Sequence, residues 1–183
     1  MDSDVFLSQI EGAVRQLDPT KICSGVKAAL EELAAEGANW IPSEYFRGSE
    51  SDYARHLLHQ CPEKTYSIML MVWQPGQGTA IHDHAGKWCV ECVIRGDIEV
   101  ISYDHAADGE SHRLTETDRV AAHTGDVGVL IPPNEYHLIR NVTDKPAVTV
   151  HVYEGEMLWC HRFQPADVPG TFTRERCTLS YDE

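Results

Sequence analysis

Residues 82–96 read HDHAGKWCVECVIRG, in which two histidines flank one residue and a glycine follows twelve residues after the second. Gly76, six residues before the first histidine, gives the segment a glycine on both sides. His82 and His84 point to the same face of a strand, because strand side chains alternate with period two. That face can therefore present two imidazoles to one metal ion.

A second block, PPNEYH at residues 132–137, offers a third histidine at the start of another predicted strand, and Asn141 follows it. Together the blocks resemble the two motifs of the cupin superfamily, which implies a jelly-roll β-barrel. Cupins usually carry glutamate at the remaining ligand position of the first motif, where this chain has Cys89. We predict a metal site formed by His82, His84 and His137, with a thiol close to the metal.

Composition narrows the class of protein. A chain of 183 residues with 42% hydrophobic and 24% charged residues fits one globular domain. The net charge of −14 argues against nucleic acid or an anionic membrane as partner. No apolar run approaches the roughly 18 residues of a membrane span, and no basic signal-peptide start is present. The six cysteines lack the regular spacing of a disulfide framework, which favours a reduced, cytoplasmic setting. We expect the protein to be a monomer.

The apolar pattern divides the chain into a helical region and a strand region. Residues 1–62 are predicted to be helical, with one helix after Asp18-Pro19 that stops at Gly37 and a short third helix over Ser51–His59. Residues 66–164 are predicted to form the barrel of a single cupin domain that spans 1–183. Its strands are expected near 66–74, 79–84, 88–95, 97–104, 118–122, 127–131, 136–141, 146–153 and 158–164, with residues 104–118 as a polar loop.

Two local patterns allow more than one interpretation. Cys89 and Cys92 form a CxxC, which elsewhere indicates zinc or redox chemistry, but three-residue spacing on a strand sends the thiols to opposite faces. We expect Cys92 to face away from the metal. Thr149, His151 and Tyr153 share one face of a predicted strand. That face is either the wet side of an edge strand or an interior hydrogen-bond chain that places a phenol near the metal.

From Tyr53 to about Gln164 the chain resembles the cysteine dioxygenase family, iron-dependent thiol dioxygenases of the cupin superfamily. Tyr53-Ala54-Arg55 is similar to the family's Tyr-x-Arg, TVHVY at 149–153 is similar to its Ser-x-His-x-Tyr, and Cys160-His161 has a counterpart. The resemblance implies Fe(II) on His82, His84 and His137, substrate binding by Arg55, Tyr53 and Thr149, and catalytic roles for Tyr153, His151 and Cys89. It also implies a thioether crosslink between Cys89 and Tyr153, as in animal members.

The resemblance further implies a reaction: L-cysteine and O2 are converted to cysteine sulfinate. Trp88 and Lys87 depart from the animal pattern, and we expect them to alter the pocket mouth and hence the preferred thiol. The alternatives are another small thiol carboxylate, such as 3-mercaptopropionate or mercaptosuccinate, and a non-oxidative metal cupin that uses the same histidines.

Overall fold

The computed structural model describes residues 1–109 and 111–182. Two helices come first, α1 (Ser3–Val14) and α2 (Pro19–Glu36), followed by a short 3-10 helix at Ser43–Phe46. The strands are β1 (Ala54–Gln60), β2 (Tyr66–Trp73), β3 (Ile81–His82), β4 (Cys89–Arg95), β5 (Asp97–Asp108), β6 (Ser111–His123), β7 (Val127–Leu130), β8 (Tyr136–Arg140), β9 (Ala147–Glu154), β10 (Trp159–Pro165) and β11 (Phe172–Thr178). The molecule is therefore mainly β.

The strands form two antiparallel sets. One is a five-stranded sheet in the order β1-β2-β9-β4-β7. The other, in the order β10-β11-β6-β5-β8-β3, closes on itself because β3 pairs with both β8 and β10. This arrangement brings the short β3 with its first histidine directly beside β8 with its own.

Strand β2 is buried along its whole length on both faces of the sheet, which explains why its side chains are almost all apolar. Ile68 on β2 and Val90 on β4 pack against Phe6 and Leu30 of the two helices. Side chains of the opposite parity, such as Met71, point into the barrel. The helices thus cover the outside of the sheet while its inner face lines the site.

The helix boundaries follow from their caps. The Asp18 side chain accepts a hydrogen bond from the Thr20 N–H at 2.8 Å, Pro19 occupies the first turn, and Gly37 ends α2 at φ +81°. The predicted start and end of this helix are confirmed. No helix in the described residues is long and apolar enough to cross a membrane.

Three sequence-based expectations on secondary structure are wrong. The predicted third helix over Ser51–His59 is instead β1, which pairs antiparallel with β2 from Ala54 opposite Val72. The predicted loop at 104–118 belongs to the long β5–β6 hairpin, whose largely exposed faces explain its polar sequence. The strand β11, pairing with β10, was not predicted at all. In each case antiparallel pairing with the neighbouring strand outweighs the local preference.

Candidate metal centre and substrate cavity

Three histidines converge on one point inside the barrel. His82 ends β3 and is the cross-strand partner of His137 on β8, and His84 follows two residues later on the same side. The ring centroids lie 4.6 Å (His82–His137), 5.0 Å (His84–His137) and 5.3 Å (His82–His84) apart. One nitrogen from each ring lies within 4.8 Å of those from the other two. A single ion can therefore contact all three imidazoles, which supports metal binding.

The protonation of these rings also suits a metal. Burial, reinforced by the positive charges of Arg162 and Arg55, lowers the pKa of His82 to about 4. Burial likewise holds the pKa values of His84 and His137 well below their usual range. All three rings are thus neutral near pH 7 and can donate nitrogen lone pairs.

Unpaired nitrogens give an independent test of fit. Within the described part of the chain, both ring nitrogens of His137 and Nδ1 of His84 are buried without a hydrogen-bond partner. Buried polar atoms normally have a partner, so these unpaired ring nitrogens indicate that a further partner, such as a metal ion, binds here. Nδ1 of His82 donates to the Ala80 carbonyl oxygen at 3.1 Å, which leaves Nε2 as the nitrogen available to a metal ion. The residues present fit a bound transition metal.

Buried carboxylates hold the histidine segment in place. Asp83, between the two metal-site histidines, faces the other way and accepts hydrogen bonds from the backbone N–H and Nδ1–H of His161 at 2.8 and 2.7 Å. Glu135 accepts a bond from the backbone N–H of His84 at 2.8 Å. Sequence reasoning missed both carboxylates, although each lies within two residues of a predicted ligand. Hydrogen bonds of this kind fix the orientation of the side chains that bind a metal.

The polar face of β9 turns inward and forms a hydrogen-bond chain. The Trp73 indole N–H donates to Thr149 Oγ1 at 2.9 Å, and Thr149 Oγ1 lies 2.7 Å from Nε2 of His151. An indole can only donate, so Thr149 Oγ1 accepts that hydrogen bond, and its own hydroxyl hydrogen can be donated to Nε2. The ring hydrogen is then on Nδ1, which donates to the Tyr153 oxygen at 3.3 Å. The Tyr153 hydroxyl hydrogen remains free to point elsewhere.

Glu91 is a buried acid that the sequence analysis missed. It lies two residues beyond Cys89 on the same inward face of β4. Its Oε2 is 3.3 Å from Nδ1 of His151, and its Oε1 is 3.8 Å from Nδ1 of His137. Burial raises the pKa of Glu91 to about 8. The period-two alternation of β4 would have located this carboxyl beside the site.

The two cysteines of the CxxC point in opposite directions. Cys89 is the cross-strand partner of Tyr153, and both belong to the buried cluster inside the barrel. Cys92 packs in the cluster beneath the helices, with its Sγ 3.7 Å from the Leu30 carbonyl oxygen. The expectation that Cys92 faces away from the metal is confirmed.

Arg55 and Tyr53 lie in the same cavity as the histidines. The Arg55 guanidinium donates to the carbonyl oxygens of Ser180 at 2.8 Å and Met157 at 3.2 Å. The Tyr53 ring stacks on the Trp73 ring with centroids 4.6 Å apart. The cavity holds about 20 Å³, space for about one water molecule. A substrate must therefore displace side chains on the solvent side, where the lining residues are only half-buried.

One expectation on the pocket is wrong. Trp88 packs in the cluster under α1 and α2, and Lys87 donates from Nζ to the Glu156 carbonyl oxygen at 2.8 Å. Both line a separate surface depression beside Val14 and Ile22. Among the residues that line the cavity and that sequence reasoning missed, Arg162 on β10 carries a charge.

Comparison with known proteins gives a family match. The family model described as cysteine dioxygenase type I matches residues 20–166. Cysteine dioxygenase type 1 of Rattus norvegicus is 26% identical over 139 residues, covering 75% of this chain and 68% of that protein. The human protein of the same name is 23% identical with the same coverage.

The fold has cupin neighbours among solved structures. A Cupin 2 conserved barrel domain protein from Salinispora arenicola is 22% identical, with a TM-score of 0.45, and the match covers 62% of this chain and 85% of that one. The mainly β architecture with a barrel that was expected from the sequence is confirmed by the strands of the structure.

Proposed function

Because the chain belongs to the cysteine dioxygenase type I family, we propose that it is an iron-dependent dioxygenase that oxidises L-cysteine to cysteine sulfinate and accepts related small thiol carboxylates. The observation that carries this proposal is the set of three neutral imidazoles around one point in a cavity that also contains Arg55. The relatives' name makes L-cysteine the first substrate to test.

The ligand set favours a thiolate. His82, His84 and His137 would hold Fe(II) through neutral nitrogens, so the protein ligands would leave the ion's double positive charge uncompensated. When bound, iron would supply the centre at which the substrate sulfur and dioxygen meet. The net reaction is R–SH + O2 → R–SO2H, in which sulfur loses four electrons, dioxygen gains four, and both oxygen atoms end on sulfur.

Arg55 would bind the substrate carboxylate. A guanidinium carries five N–H donors in a fixed fork, and two donations of Arg55 go to main-chain carbonyl oxygens. The remaining donors can form a charge-assisted pair with a carboxylate. Tyr53, stacked on Trp73, would form the adjacent wall. These contacts would fix the orientation of the substrate relative to the histidines.

Tyr153 would be the catalytic hydrogen-bond donor. His151 and Thr149 position its phenol, and the tautomer of His151 with its hydrogen on Nδ1 leaves the Tyr153 hydroxyl hydrogen available to substrate. Burial holds its pKa well above the usual range, so the phenol keeps its proton at neutral pH.

We also propose the thioether crosslink between Cys89 and Tyr153. Their direct cross-strand pairing and shared burial support it. Bond formation between Sγ and a ring carbon removes two hydrogen atoms, that is, two protons and two electrons, which dioxygen would accept to give hydrogen peroxide. None of the six cysteines, all of which lie in the described residues, forms a disulfide, which supports a reducing, cytoplasmic location. The monomeric state stays a prediction for size-exclusion chromatography.

The test is oxygen uptake with L-cysteine by protein loaded anaerobically with Fe(II), together with sulfinate detection by mass spectrometry. We expect two atoms of label from 18O2 in the product. His84→Ala should lose both stoichiometric iron and turnover, whereas the matched His123→Ala, at an exposed histidine, should keep both. Iron binding without oxygen uptake on any small thiol would refute the dioxygenase and favour the non-oxidative metal cupin.

A further inference from the structure

A second arginine lies in the cavity. Arg162 is the cross-strand partner of His82, so the two side chains project from the same side of the sheet. Cys160, two residues earlier, also lines the cavity, whereas His161 between them points away and binds Asp83. Arg162 is half-buried, so its guanidinium borders both solvent and the metal centre.

The guanidinium of Arg162 brings a positive charge to the cavity. In residues 1–109 and 111–182 no carboxylate forms an ion pair with it, whereas Arg119 and Arg140 on the surface both pair with Glu99. The cavity thus carries two guanidinium charges, of which Arg55 has main-chain partners for two of its donors. A substrate with one carboxylate could neutralise only one of them. The free amino group of cysteine, cationic in solution, would add a positive charge near the other.

We propose that Arg162 binds a second substrate carboxylate, so that thiols with two carboxylates, such as mercaptosuccinate, are preferred over L-cysteine. This inference rests on the proposed function and specifies its substrate class. The thiolate would meet the histidine centre while one carboxylate pairs with Arg55 and the other with Arg162. The oxidation is the same four-electron conversion of the thiol to the sulfinate.

The experiment compares kcat/KM for mercaptosuccinate, 3-mercaptopropionate and L-cysteine in the iron-loaded enzyme and in Arg162→Gln. We expect wild type to favour mercaptosuccinate, and the substitution to lower kcat/KM for it by about 10- to 100-fold, chiefly through KM, because a charge-assisted pair is lost. The value for 3-mercaptopropionate should change by less than about threefold, since that substrate has no second carboxylate. Arg162→Lys should be intermediate, because it keeps the charge but not the fork.

Arg174→Ala is the matched control, because it removes the same charge from an exposed site on the neighbouring β11. It should leave all three values unchanged. Preference of wild type for L-cysteine, or an equal loss on every thiol in Arg162→Gln, would overturn the inference while the dioxygenase stands. If no thiol is oxidised, the proposed function fails. Calorimetry of mercaptosuccinate binding to the metal-free protein then decides: tighter binding by wild type than by Arg162→Gln supports the Arg162 site, and equal binding overturns it.

Discussion

Replacing Glu91 by glutamine should remove a pH-dependent loss of stability from the metal-free protein. Burial raises the pKa of this carboxyl from 4.5 to about 8. Between those values the folded state holds a proton that the unfolded state has released, so stability falls as pH rises through the window. Between pH 6 and pH 9 the folded state holds this extra proton over about two pH units. The resulting loss in the free energy of unfolding is about 2.7 kcal/mol, at about 1.36 kcal/mol per unit.

The assay is urea unfolding of chelator-treated protein at pH 6, 7, 8 and 9. The free energy of unfolding of wild type should fall relative to Glu91→Gln by about 2.7 kcal/mol over that range. The buried histidines and thiols titrate in both proteins, so the difference between the two curves reports chiefly on the Glu91 carboxyl. Glu44→Gln, at an exposed glutamate, should follow wild type at every pH. Parallel curves for wild type and Glu91→Gln would mean that the carboxyl is not held protonated by burial, and the reasoning would be wrong.

Two further predictions concern the barrel interior and the helix packing. Intact mass of protein purified after aerobic growth with iron should show a population lighter by two hydrogen atoms, which Cys89→Ser abolishes and Cys92→Ser keeps; no such population in wild type would rule out the thioether. Leu30→Ala, in the fully buried face of α2, should lower the free energy of unfolding by about 2–5 kcal/mol in urea, whereas Leu17→Ala, at a fully exposed leucine, should change it by less than about 0.5 kcal/mol. Equal effects of the two leucine variants would contradict the assigned packing.

The sequence alone determined the features that depend on local periodicity. Period-two alternation put His82 and His84 on one face, Thr149 and His151 on another, and the thiols of Cys89 and Cys92 on opposite sides. Local capping chemistry likewise located the start and end of α2. These properties depend only on residues close together in the chain, so they can be read without the fold.

Only the tertiary structure decided which segments pair. Ser51–His59 has a pattern compatible with a helix, yet the chain from Ala54 onward forms β1, because pairing with β2 satisfies its backbone groups. The pairing of β3 with β10 joins segments far apart in the chain, and it brings Arg162 beside His82. Glu91 acquires its raised pKa only from the burial that closure of the barrel imposes. Local patterns determine which face of a strand a side chain occupies. Strand pairing and burial determine its neighbours and its protonation state, and these neighbours and protonation states set the chemistry of the cavity.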